Sequence, residues 1–345
     1  MTLCDLTLPR KSAMRRLPAS MLLIAAVYSP CAFAATLEQV LQQQDADPHG
    51  DLRAVVVLRD GAVVAERYYN GQAQDGLHDM RSAGKSVTAL LVGAAVARGQ
   101  LTTTGTVGQY WPEVAGSPAG KVKLDDLLTM RSGLDAFDED AASPGNEDKL
   151  DEAPDPTVFV RGVPAANQPG TLYRYNSLGA YIAGRVVESA SGVELDRFAG
   201  SVLFAPLGIT RWHWGRDMAG HAKGQGNLSL TPRDMARIGQ LVLDDGVVDG
   251  QRVLASGWLQ AALAPRVAIG EVDRYADHYG YFWYGKTYDV AGENVKVSFA
   301  SGNGGNKIYV IPARRMVVAV ASSAYGKPYG QRRSEDILKA LLAAD

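Results

Sequence analysis

The sequence predicts an α+β fold, in which a sheet formed by both ends of the chain is flanked by helices and carries an inserted, mainly helical lobe. Strand-like segments occur near residues 53–69 and again between 279 and 322, while helical patterns dominate the region between them. The chain has 345 residues, of which 46% are hydrophobic and 21% charged. This composition supports a large buried core and excludes a disordered chain, a collagen-like fibre and a disulfide-stapled mini-domain.

Residues 1–34 are predicted to be a secretory signal peptide. A basic region precedes the mostly apolar stretch from Leu17 to Val27, which is too short to span a bilayer, and Ala32-Phe33-Ala34 offers small residues to a signal peptidase. Met14 is an alternative start to Met1, and an uncleaved anchor is the alternative interpretation. We expect Sec export to the periplasm, with no stable membrane anchor after cleavage.

Composition also limits the partners and cofactors. A formal net charge of −2 argues against nucleic acid, which requires a basic surface. Cys4 and Cys31 both lie in the predicted signal peptide, so the mature chain has no disulfide and no thiol nucleophile. The five histidines show no metal-ligand spacing. The sequence therefore predicts no metal and no cofactor, and it indicates no oligomeric state.

The remaining chain, 35–345, is predicted to be one domain with a sheet lobe at about 50–99 and 266–345. Its first element is a hairpin over 53–69, because Asp60-Gly61 separates two β-branched runs. Helical spacing follows over 86–98 and ends at Gly99. Later strands and a closing helix are predicted at Tyr279–Tyr284, Val295–Ala300, Lys307–Ile311, Met316–Ser322 and Gln331–Ala344.

The helical lobe is expected at about 100–265. Thr231 followed by Pro232 predicts the start of a helix that runs to about Leu243, with threonine as the cap and proline at the first position. The segment 141–156 is rich in Asp, Glu, Pro and Gly, and we expect it to be an exposed loop.

Ser82 and Lys85 form the first candidate catalytic pair. They lie three residues apart at a predicted helix start, so the hydroxyl and the amine can meet on one face. A serine hydroxyl is a weak nucleophile until a base takes its proton. Lysine serves as that base only if its pKa falls by several units from about 10.4. A capping serine beside a solvated lysine is the alternative interpretation.

Two later segments carry further candidates. Tyr175 precedes the predicted helix 178–190, where its phenol can face a cleft and act as an acid or base beside a lysine. A core tyrosine is the alternative. The glycine-rich segment 300–305 follows a predicted strand, so its backbone can approach a ligand and an exposed N–H can form part of an oxyanion hole. A simple hairpin turn is the alternative there.

The order and spacing of these segments resemble the serine β-lactamase/penicillin-binding superfamily. The similarity is greatest to its class C β-lactamase-related branch, which includes esterases, D-specific peptidases and 6-aminohexanoate-dimer hydrolases. It covers about 50–325 and implies a β-lactamase/transpeptidase-like fold. The segments that carry it are His78–Ser86, Leu127–Leu134, Pro169-Gly170-Thr171 before Tyr175, Thr231–Ala236 and Ser301–Gly305.

The resemblance implies a role for each candidate. Ser82 attacks a carbonyl and becomes acylated, and Lys85 lowers the proton cost of that attack. Tyr175 passes the proton to the leaving group and later helps to activate the deacylating water. The backbone N–H groups of Ser82 and Asn303 are implied to form the oxyanion hole, and Ser177 is implied to orient Lys85 or the substrate.

Two departures from the family pattern bear on the substrate. Ala300-Ser301-Gly302 stands where β-lactamases have Lys-Thr-Gly. These three residues and Ser177 are the predicted substrate-binding residues. Ala300 therefore lacks the cation that helps to bind a β-lactam carboxylate, and Ser177 replaces a frequent Asn. Lys307 and Arg174 are two candidates for restoring the charge.

We therefore expect an exported serine hydrolase that cleaves a small-molecule ester, amide or peptide through an acyl-enzyme, without a cofactor. An ester or short amide fits the departures better than a β-lactam. One alternative is β-lactamase or D-Ala peptidase activity. The other is a non-catalytic receptor for cell-wall peptides or β-lactams.

Overall fold

The computed structural model describes residues 35–345, so the predicted signal peptide lies outside the described residues. The main sheet has eight antiparallel strands, which are β1 (Leu52–Arg59), β2 (Ala62–Tyr68), β8 (Val267–Ala268), β9 (His278–Tyr279), β10 (Tyr284–Val290), β11 (Glu293–Gly302), β12 (Asn306–Ile311) and β13 (Met316–Ser322). They lie side by side in the order β2-β1-β13-β12-β11-β10-β9-β8. Strands from both ends of the described chain thus meet at the β1–β13 pair, and the predicted α+β fold is confirmed.

Two smaller sheets lie between these strands in the sequence. They consist of β3 (His78–Asp79), β5 (Leu228–Leu230) and β4 (His213–Trp214), and of β6 (Val247–Val248) and β7 (Gln251–Arg252). The α-helices are α1 (Leu37–Gln43), α2 (Gly84–Ala97), α3 (Val107–Tyr110), α4 (Leu124–Leu128), α5 (Glu147–Asp151), α6 (Pro156–Gly162), α7 (Ser177–Ser191), α8 (Leu195–Ala199), α9 (Pro232–Leu243), α10 (Trp258–Ala262) and α11 (Tyr329–Ala344). Within residues 35–345, no helix is both long enough and apolar enough to cross a membrane.

The predicted hairpin forms between β1 and β2. Asp60 and Gly61 have φ angles of 49° and 79°, the left-handed backbone that a tight hairpin turn requires. The turn places β1 between β2 and β13, where most of its side chains are buried.

Helix α2 is buried on all sides rather than along one stripe. Every residue from Gly84 to Ala95 is buried, because the helix packs between α7 and β11. Gly99 follows it with a φ of 67°, which suits a helix end. This central position makes α2 a rigid support for the residues at its N-terminus.

Helix α9 begins as predicted. The Thr231 side chain accepts a hydrogen bond from the backbone N–H of Asp234 at 3.1 Å, and the helix ends before Asp245 and Gly246, which have φ angles of 51° and 75°. It packs against β1, β12 and β13.

Two predictions about local structure are wrong. The predicted strand over 279–284 is interrupted, because Phe282 has a φ of 55° and its backbone N–H donates to the Leu128 carbonyl at 3.0 Å. The segment 141–156 is not simply an exposed loop, since it contains α5 and buries Leu150. Asn146 organises this segment: its side chain caps α5 and donates to the Asp138 carbonyl at 3.1 Å. The turn-forming composition concealed this short helix.

Candidate active site

Ser82 lies in a 3₁₀ turn, Arg81–Ala83, directly before α2. Two backbone segments pack closely against this turn. A Cβ atom on Gly302 would collide with the Met80 carbonyl oxygen and lie 3.1 Å from the Ala83 nitrogen, and one on Gly226 would lie 3.0 Å from the Arg81 carbonyl oxygen. The end of β11 and the loop at Gly226 therefore enclose the serine, and larger residues at either glycine would displace it.

Lys85 lies one helical turn after Ser82 and is only 1% exposed. Its Nζ donates hydrogen bonds to Ser82 Oγ at 2.9 Å, to Ser177 Oγ at 2.9 Å and to the Gln225 carbonyl at 2.8 Å. Each of the three N–H groups of the ammonium thus has an acceptor. The structure brings Ser82, Lys85 and Ser177 together in one hydrogen-bonded group.

The electrostatic surroundings favour a charged Lys85. Burial lowers the pKa of the Lys85 amine, but its interactions with Tyr175, Glu147 and Asp138 outweigh burial and raise the pKa above its usual range. A lysine base requires the opposite shift. A protonated Lys85 is suited to stabilise a developing anion.

Tyr175 is the candidate acid or base that lies next to Lys85. The Lys85 Nζ lies 5.1 Å from the centre of the Tyr175 ring. Tyr175 directly precedes the capping residue of α7, as its position in the sequence suggested. Asn176 is that cap, because its side chain accepts from the Gly179 N–H at 2.7 Å and donates to the Arg174 carbonyl at 2.8 Å. The cap thereby holds the backbone on both sides of the tyrosine.

The end of β11 forms the other wall of the site. Ser301 is partly exposed, whereas Ala300 is fully buried and so presents no side chain to a substrate. The Asn303 carbonyl accepts from Asn306 Nδ2 at 2.9 Å, and Asn303 Oδ1 accepts from the Gly326 N–H at 2.7 Å. These bonds hold the backbone that carries the predicted oxyanion-hole N–H. Ser177 is also fully buried, so it contacts Lys85 rather than an open cleft.

Lys307 is the cation that lies beside Ser301. The two residues face each other across β11 and β12, and Lys307 Nζ donates to Ser301 Oγ at 2.8 Å. Burial lowers the pKa of Lys307 to about 7. The other candidate, Arg174, packs over the Phe137 ring at 5.4 Å. A charge near the position of the missing strand lysine thus comes from the neighbouring strand.

Sequence reasoning did not identify Asp138 and Glu147. Burial raises the pKa of both carboxyl groups, and the positive charge of Lys85 opposes that shift. The only signal in the sequence is a run of acids soon after the segment Leu127–Leu134. Because such runs are usually solvated loops, that signal carries little weight by itself. Within residues 35–345, no group of His, Cys, Asp or Glu is arranged to hold a metal ion.

The comparisons with known proteins all indicate the same family. The family model described as Beta-lactamase matches residues 37–342. The chain is 30% identical over 240 residues to 6-aminohexanoate-dimer hydrolase from Paenarthrobacter ureafaciens, covering 66% of this chain and 59% of that protein's length. It is 28% identical over 314 residues to penicillin-binding protein 4 from Amycolatopsis lactamdurans, covering 79% of this chain and 78% of that protein.

Solved structures show the same fold. A class C β-lactamase from Rhodobacter sphaeroides superposes with a TM-score of 0.65 at 16% identity, covering 89% of this chain and 99% of the other. The hydrolase EstCE1, described as having promiscuous acyltransferase activity, gives a TM-score of 0.70 at 14% identity, with coverages of 90% and 97%.

Fold, site and family match agree with one another. The chain belongs to the beta-lactamase family, which confirms the resemblance predicted from its motifs and its assignment to the β-lactamase-related serine hydrolases.

Proposed function

We propose that this protein is an exported serine hydrolase that cleaves a carboxylic ester or a short amide through an acyl-enzyme on Ser82. The observation that carries the proposal is the hydrogen-bonded group of Ser82, Lys85 and Ser177, with the Tyr175 ring beside the lysine. Acyl transfer needs a nucleophile, a cation and a proton acceptor close to one another.

The proposed reaction has two steps. Ser82 Oγ attacks the substrate carbonyl while its proton moves to Tyr175, and Lys85 stabilises the negative charge that develops. The resulting oxyanion accepts hydrogen bonds from the backbone N–H groups of Ser82 and Asn303. Its collapse breaks the bond to the leaving alcohol or amine, which takes the proton from Tyr175. A water molecule then attacks the acyl-enzyme while Tyr175 takes its proton. The bond between the acyl group and Ser82 Oγ breaks, Tyr175 returns the proton to Ser82 Oγ, and the carboxylic acid is released.

The preference for esters and short amides rests on the strand edge. Ala300 supplies no cation, which weakens the binding of a β-lactam carboxylate. The relative named 6-aminohexanoate-dimer hydrolase acts, by its name, on the dimer of 6-aminohexanoate. Export to the periplasm is proposed from residues 1–34, and intact mass of the protein recovered from the periplasm should show Ala35 as the first residue.

A β-lactamase or D-Ala peptidase activity is the second candidate function. Its support is Lys307, whose Nζ bonds to Ser301 and can return positive charge to the strand edge. A non-catalytic receptor has less support, because the hydrogen bonds of the nucleophile and lysine are all in place.

The test compares wild type with Ser82→Ala on a short-chain p-nitrophenyl ester and a chromogenic cephalosporin. Ester turnover should fall by at least about 10³-fold in the variant, with unchanged circular dichroism and thermal unfolding. The matched control is Ser256→Ala, because Ser256 is exposed and lies in a loop before α10. Near-wild-type turnover in Ser82→Ala would overturn the assignment. A persistent adduct on Ser82 without turnover, seen by intact mass, would instead indicate the receptor.

A further inference from the structure

The residue before the nucleophile has an unfavourable backbone conformation. Arg81 has a φ of 52°, in the left-handed region that residues with a Cβ atom rarely adopt. We propose that Asp79 is a positioning residue, which holds Arg81 in this conformation and thereby orients Ser82 for attack. The inference rests on the proposed function and adds to it a residue that acts through Ser82.

The carboxylate of Asp79 closes a turn around Arg81. Its Oδ1 accepts the backbone N–H of Arg81 at 2.8 Å, and its Oδ2 accepts from the Arg81 guanidinium at 3.2 Å. A bond from an aspartate side chain to the N–H two residues later is an Asx turn, which imitates a backbone turn. This bond fixes the peptide plane on the N-terminal side of Arg81, from which the chain turns into Ser82.

The loop at Asn227 holds the C-terminal side of Arg81. Asn227 Nδ2 donates to Asp79 Oδ2 at 3.2 Å, and Asn227 itself has a φ of 54°. The preceding residue, Gly226, packs so closely that a Cβ atom there would lie 3.0 Å from the Arg81 carbonyl oxygen. Asp79 therefore contacts Arg81 directly and also fixes the loop that packs behind it. Strained backbone persists only where its surroundings determine it in this way.

Asp79 also links the turn that carries the nucleophile to the segment of Asn303. The Tyr325 hydroxyl donates to the Asp79 carbonyl at 2.9 Å, and the guanidinium carbon of Arg81 lies 4.8 Å from the centre of the Tyr325 ring. The N–H of the next residue, Gly326, donates to Asn303 Oδ1 at 2.7 Å. One series of contacts thereby joins the two segments whose N–H groups are proposed to form the oxyanion hole.

The backbone of Arg81 determines the direction of Ser82. If Arg81 relaxed to a negative φ, the chain would leave it in another direction, and both the Oγ and the N–H of Ser82 would move. Lys85 would not follow, because it also donates to Ser177 Oγ at 2.9 Å and to the Gln225 carbonyl at 2.8 Å. The serine–lysine contact and the oxyanion hole would then be lost together. A displacement of about 1 Å is enough to lower a rate by about 10²-fold.

The ion pair between Asp79 and Arg81 does not explain this arrangement by itself. The two side chains are 26% and 39% exposed, and ion pairs in contact with water stabilise a fold only weakly. The bond to the Arg81 N–H is different, because it acts on the backbone that leads directly into Ser82. We therefore expect the acceptor oxygen of Asp79 to matter more than its charge.

The test measures the reactivity of Ser82 with diethyl p-nitrophenyl phosphate, which phosphorylates an activated serine and releases p-nitrophenol. In Asp79→Ala, the phosphorylation rate constant and kcat on a p-nitrophenyl ester should each fall by about 10–10²-fold, while KM changes by less than about threefold. Asp79→Asn keeps an oxygen for the Arg81 N–H and should be at least about fivefold more active than Asp79→Ala. Thermal unfolding of each variant confirms that it is folded.

A double-mutant cycle separates backbone positioning from charge. Glycine adopts a positive φ without strain, so in an Arg81→Gly background Asp79→Ala should cost less than about threefold. Arg81→Met is the matched control, because it removes the guanidinium but keeps a Cβ atom at the strained position. In that background the full loss should remain. Asp75→Ala removes an exposed acid from the same segment and should change neither rate.

Equal losses in the two backgrounds would overturn the proposal, as would an Asp79→Ala variant that reacts like wild type. If Asp79→Ala does not fold, Asp79→Asn and Asp79→Glu carry the test. Glutamate keeps the charge, but its longer side chain does not close the same turn, so the asparagine variant should be the more active one. The reverse order would overturn the proposal. Normal phosphorylation of Ser82 without ester turnover in wild type would count against the proposed function only.

Discussion

Two serine–lysine pairs lie on opposite walls of the site, and the pKa values of their lysines are shifted in opposite directions. Lys85 donates to Ser82 at 2.9 Å along a helix, and Lys307 donates to Ser301 at 2.8 Å across two strands. Both lysines are at most 2% exposed. Yet the pKa of Lys85 is raised above its usual range, while that of Lys307 is lowered to about 7.

The difference comes from what surrounds each ammonium. Lys85 has two further oxygen acceptors, and its interactions with Tyr175, Glu147 and Asp138 raise its pKa. Lys307 is packed 4.7 Å from the centre of the Phe299 ring and 6.0 Å from that of Tyr309. Glu335, an acid on its side of the sheet, is already paired with Lys286 at 3.0 Å. A serine–lysine contact therefore does not define the role of the lysine, because its charge depends on groups beyond the contact.

The largest expected effect is on kcat, when each of the two lysines is replaced by methionine. Lys85→Met should lower kcat by about 10²–10⁴-fold, because it removes the cation beside the reacting atoms. Lys307→Met should lower kcat by less than about tenfold and act mainly on KM. Steady-state kinetics on one ester measures both. Equal losses of kcat in the two variants would show that the pairs do not differ in role.

Gly302 connects the two walls and allows a second test. In Gly302→Ala, the new methyl group would collide with the Met80 carbonyl, so β11 must move away from the Ser82 turn. The predicted oxyanion hole would widen, and kcat should fall by about 10²–10³-fold. The control is Gly116→Ala, where a Cβ meets nothing within 4 Å. A fully active Gly302→Ala variant would contradict the assigned oxyanion hole.

Much of this arrangement could be predicted because it depends on local patterns. The hairpin at Asp60-Gly61 follows from turn chemistry, and helical spacing alone brings Ser82 and Lys85 together. The position of Tyr175 before a predicted helix made it a candidate, and the family resemblance then implied its role. The break at Phe282 could not be predicted in this way, because an aromatic residue rarely takes a positive φ.

The pKa shifts of Lys85 and Lys307 could not be predicted, because they depend on contacts between segments that are distant in the sequence. Helix α5 forms only because Asn146 caps a segment whose composition is typical of a loop. Lys307 meets Ser301 only because of the register of β11 and β12, whose connecting turn has φ angles of 86° and 91° at Gly304 and Gly305. A shift of one residue would turn Lys307 to the other face of the sheet.

The smallest expected effect is on the free energy of unfolding, whose pH dependence reports whether Lys307 is charged. Its pKa is about 7 in the folded chain and ordinary, near 10.5, when unfolded. Between these values the unfolded chain binds a proton that the folded chain does not, so the Lys307 contribution to the free energy of unfolding rises with pH. The slope is at most about 1.4 kcal/mol per pH unit.

Lys307→Met should therefore gain stability over wild type at pH 7, and this advantage should shrink towards pH 10. Urea unfolding at pH 7, 8.5 and 10 measures the difference between the two proteins. Lys296→Met, at an exposed position on the same strand as Ser301, controls for the loss of a lysine as such. A stability difference that is the same at all three pH values would mean that Lys307 stays charged. The contrast with Lys85 would then lie in geometry alone, because both lysines would act as fixed cations.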